Sequence, residues 1–128
     1  MKRKFSIKRV DKSFKYAFAG YKSAFQSEQN MKIHSIIAIL VTICGFVFKI
    51  SAIEWIFLVF AIGLVIGAEL LNTSIEHLVD LATQEYKRKA MLAKDTAAAY
   101  VMVLSFTSVI IGGIIFIPKI IEIIRGML

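Results

Sequence analysis

The apolar positions of this chain follow two regimes. Over residues 7–25 they recur every three or four places, at Ile7, Val10, Phe14, Phe18, Tyr21 and Phe25. Lys8, Lys12, Lys15, Lys22 and Gln26 fall largely on the other faces. That period predicts an amphipathic helix over residues 5–27, lying flat on a membrane with its aromatics among the lipid headgroups. From residue 33 onward long uncharged runs take over. Residues 33–48 form the first, short for a crossing but extendable to residue 50 if Lys49 reaches back to water. An outer turn follows, and Trp55 stands where an indole favours the interface. The second run passes directly into polar sequence, which predicts one helix over residues 52–82. The third is uncharged over residues 96–118, inside a helix predicted for residues 92–120.

The class that follows is an all-α integral membrane protein. Residues 1–128 make one domain, with a surface helix and three transmembrane helices. Gly63 and Gly67 form a GxxxG pair that permits close helix packing. Gly112 and Gly113, followed by Pro118, predict looser packing toward the outer end of the third span.

Polar positions interrupt the second run in an ordered way. Glu69, Asn72, Glu76 and Asp80 recur at steps of three, four and four, which stacks them on one helical face beside Thr73 and His77. Carboxylates on one face repel each other and are costly near lipid, so they need compensation. A divalent cation such as Mg2+ takes oxygen ligands and commonly brings phosphate with it. The plainer alternative is a solvated face on the protruding end of a membrane helix. No basic residue lies within the stripe, and that favours the binding reading.

About 20 residues cross the hydrocarbon, so a helix entering at Ala52 emerges near Leu71. Glu69 then sits at the inner boundary with Glu76 and Asp80 beyond it. Lys94 and Asp95, at the mouth of the third run, are expected level with Glu69. Arg9, Lys12 and Tyr16 share helical spacing and could reach one anionic ligand together. Glu28, Asn30, Lys32 and His34 form a polar joint before the first span. Glu28 gains significance only if the fold carries it to the stripe, and His34 reads as a hydrogen-bonded interfacial residue.

Composition sharpens this picture. Hydrophobic residues make up 58% of the chain, which argues against a soluble core. Sixteen Lys and Arg against nine Asp and Glu leave a formal charge of +7. Nine of those basic residues lie between Lys2 and Lys32, and Lys87, Arg88, Lys89 and Lys94 lie between the second and third runs. The positive-inside rule therefore sets the N-terminus and the second loop in the cytoplasm. Because the basic tail is interleaved with aromatics, an anionic membrane surface and a nucleotide phosphate suit it better than nucleic acid. The lone Cys44 excludes an intrachain disulfide and a cysteine-based metal site. No P-loop, protein-kinase loop, zinc-spaced histidine pair or Ser-His-Asp set is present. Phosphoryl transfer needs metal on the phosphates, cations on the developing charge and a carboxylate near the attacking hydroxyl. The acids, Asn72 and the Lys94–Asp95 pair supply those residue types, at a depth suited to a lipid hydroxyl.

The motifs Glu69-Leu-Leu-Asn72-Thr73-x-Ile75-Glu76 with Asp80, Ala93-Lys94-Asp95-x-Ala-Ala, and Glu28 behind an aromatic helix resemble the small prokaryotic diacylglycerol kinase family of three-span membrane kinases. The resemblance covers nearly the whole chain. The stretch FKYAFAGYKSAFQSEQN with His34 is more similar to the Gram-positive branch, which mainly phosphorylates undecaprenol. The resemblance implies a homotrimer in the bacterial cell membrane, with composite active sites facing the cytoplasm and using Mg2+ and ATP. It implies Glu69 as general base, Glu28 and Glu76 as metal ligands, and Asn72 and Asp80 as supporting residues. Lys94 would contact phosphate, with Asp95 fixing nucleotide or lysine. Arg9, Lys12, Tyr16, Glu85, Tyr86 and Lys87 fall where the family meets the nucleotide. Undecaprenol is the expected acceptor, with diacylglycerol as the alternative. Two readings of other classes remain at this point, a small ion-coupled transporter and a purely structural membrane protein.

Overall fold

The computed structural model describes residues 6–127, so Lys2 and the first residues of the expected surface helix lie outside the described residues. Four helices follow in order: α1 (Ile7–Ser27), α2 (Gln29–Val47), α3 (Ala52–Ala82) and α4 (Arg88–Met127). The last three are long and apolar enough to cross a membrane.

Each junction has a local cause. Glu28 takes an extended backbone, ending α1 with its N–H on the Ala24 carbonyl, 2.9 Å away, and starting α2. The first span helix therefore begins at Gln29, ahead of the expected residue 33. The hydroxyls of Tyr21 and Ser35, 3.0 Å apart, clip α1 to α2, and Ala24 and Met31 are buried at the elbow. Beyond α2, Lys49 adopts a left-handed conformation with φ of 49°, and the Ile50 N–H returns to the Gly45 carbonyl at 3.1 Å. Ser51 then caps α3. Its hydroxyl accepts from the Glu54 N–H at 3.3 Å, and its own N–H donates to the Glu54 carboxylate at 2.7 Å. The same carboxylate reaches Lys119 at 2.9 Å, tying this turn to the far end of α4.

At 31 residues α3 is about 46 Å long, against a hydrocarbon core of about 30 Å, so its polar end must project. The 40-residue α4 carries Pro118 internally and continues past the expected residue 120 to Met127. The end of the bundle at the α2–α3 turn holds an apolar cluster. Ile50, Leu58 and Ile115 form the buried cluster there, with Val41, Phe48, Trp55, Ile62, Ile111 and Phe116 around it. After Gly112 and Gly113 the packing is uneven: Ile115 is buried in this cluster, whereas Ile114 and Ile117 are exposed. Gly45 makes this packing possible: a Cβ there would lie 2.7 Å from the Trp55 ring. Gly63 and Gly67, by contrast, meet nothing within 4 Å, so no close approach inside the chain depends on them.

The most extensive interface joins α3 and α4. Its register is fixed by the Lys94–Asp80 ion pair at the polar end and by Ser108 Oγ on the Ala61 carbonyl, 3.5 Å away. α1 is exposed along almost its whole length, its apolar Ile7, Phe14 and Phe18 included.

Candidate active site

Glu69 is the centre of the polar end. It lies on the inner face of α3 with Asn72 and Thr73, all three buried, although most of the helix around them is apolar. The Glu69 side chain is only 2% exposed. Thr73 donates its hydroxyl to the Glu69 backbone carbonyl at 2.9 Å, and Asn72 Nδ2 donates to Glu76 Oε1 at 2.9 Å. The four-residue spacing of the stripe thus becomes a physical chain of contacts. Glu28, at the α1–α2 junction, and Glu76 are the like charges that act on Glu69.

The nearest ionisable partner of Glu69 is a histidine. His34 Nε2 lies 3.2 Å from Glu69 Oε1, yet the angles are not those of a hydrogen bond, and Oε1 has no hydrogen-bond partner. The buried Asn72 Oδ1 and Ser105 Oγ are likewise unpartnered. All three residues line one cavity of about 350 Å³, with Asn30 and His34 adding to its polar end and Val101, Met102, Phe106 and Val109 forming its apolar wall. Buried polar atoms without partners are rare in native folds, and three facing one open space point to a polar ligand. An alcohol on a hydrocarbon tail matches both ends of that cavity.

A second polar locus lies further along α3. Lys94 is ion-paired with Asp80, and this hydrogen bond raises its pKa above the usual lysine value, keeping the ammonium charged. Asp80, Thr83, Gln84, Glu85, Tyr86, Lys87 and Lys94 surround a small cavity of about 200 Å³ there. Asp80 is eleven residues beyond Glu69, about 16 Å along the helix. Lys94 is therefore not level with Glu69. It lies in the second turn of α4, and the antiparallel register sets Ala98 to Ser105 opposite Glu69 instead.

A family model for prokaryotic diacylglycerol kinase matches residues 15–116 of this chain. The chain belongs to that family. It is 43% identical over 113 residues to the undecaprenol kinase of Bacillus subtilis, covering 88% of this chain and 92% of that protein. It is 36% identical over 111 residues to a Synechocystis diacylglycerol kinase, covering 86% of this chain and 63% of the relative. A diacylglycerol kinase of Haemophilus influenzae is 32% identical over 105 residues, with 81% and 89% covered. The protein is thus a lipid kinase. Its three apolar helices make it a multi-pass membrane protein.

Within this kinase the expected site residues fall into three groups. Glu69 and Asn72 line the polar end of the 350 Å³ cavity, Glu76 is bonded to Asn72, and Glu28 stands at the α1–α2 junction outside the cavity lining. Asp80, Glu85, Tyr86, Lys87 and Lys94 gather at the second locus, where Asp80 rather than Asp95 holds the lysine. Arg9, Lys12 and Tyr16 stand exposed on α1, with no ion pair to the stripe among the described residues. Asp95 is also exposed, one residue off the face that meets Asp80. Among the described residues no three His, Cys, Asp or Glu side chains gather as a ready metal site. His34 and Ser105 are the site residues that the sequence did not single out. A histidine 35 residues from a glutamate carries no local signal, and a lone serine in an apolar run carries none at all.

Proposed function

We propose that this kinase transfers the γ-phosphate of ATP to undecaprenol, giving undecaprenyl phosphate, at the cytoplasmic face of the bacterial cell membrane and as a homotrimer. The observation that carries the reading is a buried carboxylate, Glu69, whose free oxygen faces a cavity polar at one end and apolar along its wall. A base at that position accepts the proton of a lipid hydroxyl held there by Asn72 and Ser105. The alcohol oxygen then bonds to the γ-phosphorus as the bond to the β–γ bridging oxygen breaks, releasing ADP.

Glu28 and Glu76 fit Mg2+, being two hard oxygen donors beside the base; that ion commonly completes its shell with phosphates and water rather than a third protein carboxylate. Bound there, Mg2+ would offset the charge of the phosphates. Lys94, held by Asp80, meets phosphate, and Glu85, Tyr86 and Lys87 flank the nucleotide. A nucleotide extended along α3 spans the distance from this locus to Glu69. Arg9, Lys12 and Tyr16 reach the nucleotide from α1, whose exposed apolar residues suit a lipid surface, and Asp95 supports the same locus. A trimer supplies what one chain lacks, since the cavity before Glu69 is open on one side and the apolar faces of α2 and α4 are largely uncovered.

The acceptor rests on the relative at 43% identity, an undecaprenol kinase, against diacylglycerol kinases at 36% and 32%. Transfer of label from γ-labelled ATP to undecaprenol and to diacylglycerol, side by side in micelles with Mg2+, tests it. Label mainly in undecaprenol is expected. A preference for diacylglycerol would replace the acceptor, and label in neither lipid would overturn the reading.

A further inference from the structure

Glu69 cannot act as a base twice without losing the proton it has gained. Its side chain is 2% exposed, Glu28 and Glu76 are its charged surroundings, and the α4 wall opposite is Ala98, Val101, Met102, Ser105, Phe106 and Val109. None of those α4 residues can take up a proton. Among the described residues His34 alone brings a titratable atom within hydrogen-bond reach of the carboxylate, at 3.2 Å. The imidazole is 21% exposed, ten times as open as the group it faces, and it lines both the large cavity and a second one of about 200 Å³ between α2, α3 and α4.

We infer that His34 is the proton-transfer partner of Glu69, taking from it the proton of each lipid hydroxyl and so restoring the carboxylate between turnovers. The inference rests on the lipid-kinase reading of the cavity. In the step, the carboxyl O–H breaks as Nε2–H forms, leaving carboxylate and imidazolium. The imidazolium then releases the Nδ1 proton on its exposed side and returns to neutral imidazole. The charged and titratable groups facing the ring from each packed element are few. Glu69 faces it from α3, with Glu76 next on that face. Glu28 stands at the α1–α2 junction, and Tyr21 of α1 bonds Ser35, the residue after His34. The misaligned 3.2 Å approach is the geometry expected before substrate binds, because such bonds tighten in the reactive complex.

The test measures phosphate transfer at saturating ATP and undecaprenol for the full chain, His34→Ala and His34→Gln, with imidazole added to each. Both variants are expected to keep their melting temperature and their KM for ATP within about twofold while losing kcat about 10- to 100-fold. Imidazole should restore kcat in His34→Ala, where the ring's space is empty, and not in His34→Gln, where it is filled. Near-full activity in His34→Gln would overturn the inference, since glutamine can orient the carboxylate but cannot carry its proton. A loss that imidazole leaves unrelieved in His34→Ala would overturn it as well. An unaltered chain that phosphorylates no lipid would remove the kinase reading itself, and this inference with it.

Discussion

In the proposed kinase reading one carboxylate, Glu69, takes the hydroxyl proton, and its burial has consequences for the residues around it. Glu69 is buried, with Asn72, His34 and Ser105 lining the same cavity and its Oε1 left without a hydrogen-bond partner. The Lys94–Asp80 pair has a different character. It is partly exposed, so solvent screens it and it adds little to stability. Its value lies in fixing an ammonium where phosphate is to bind. Asp80→Asn should therefore leave the melting temperature nearly unchanged while raising KM for ATP several-fold. An unaltered KM would show that Lys94 needs no such support.

The elements were legible in proportion to how much each owes to its own sequence. The three spans follow from uncharged runs such as residues 96–118, and the stripe from Glu69 to Asp80 follows from helical spacing alone. Their ends were less legible. α2 starts early because Glu28 turns extended, and α4 outlasts Pro118 because a helix can forgo one hydrogen bond when its neighbours persist. The structure starts α3 with a capping box at Ser51 and Glu54. What sequence could not supply was register between helices. The level of Lys94 and the approach of His34 to Glu69 both depend on how α2 and α4 slide against α3. The apolar cluster at the α2–α3 turn is one of the contacts that hold the helices together. Gly45→Ala would drive a methyl group into the Trp55 ring, which itself packs tilted against Phe46. The expected cost is about 1–3 kcal/mol, read as a lower unfolding midpoint in detergent. An unchanged midpoint would mean that this end repacks freely.

At the scale of the whole molecule the chain looks unfinished. Its cavity is open beside Glu69, large apolar residues cover the outsides of α2 and α4, and the Gly63–Gly67 face touches nothing within the chain. A glycine pair on an apolar helix permits close approach by another helix. If that helix belongs to a second copy, Gly63→Leu together with Gly67→Leu should lower the trimer fraction seen by light scattering in detergent. An undiminished trimer would assign this face to lipid instead.

The central claim is that Glu69 is the base of a lipid kinase, and Glu69→Gln tests it most directly. Glutamine keeps the size and polarity of the side chain but cannot hold the hydroxyl proton. The variant should assemble and bind ATP as the unaltered chain does, while transfer of γ-phosphate to undecaprenol falls by about 100-fold or more. Transfer at the full rate by Glu69→Gln would contradict the account at its root.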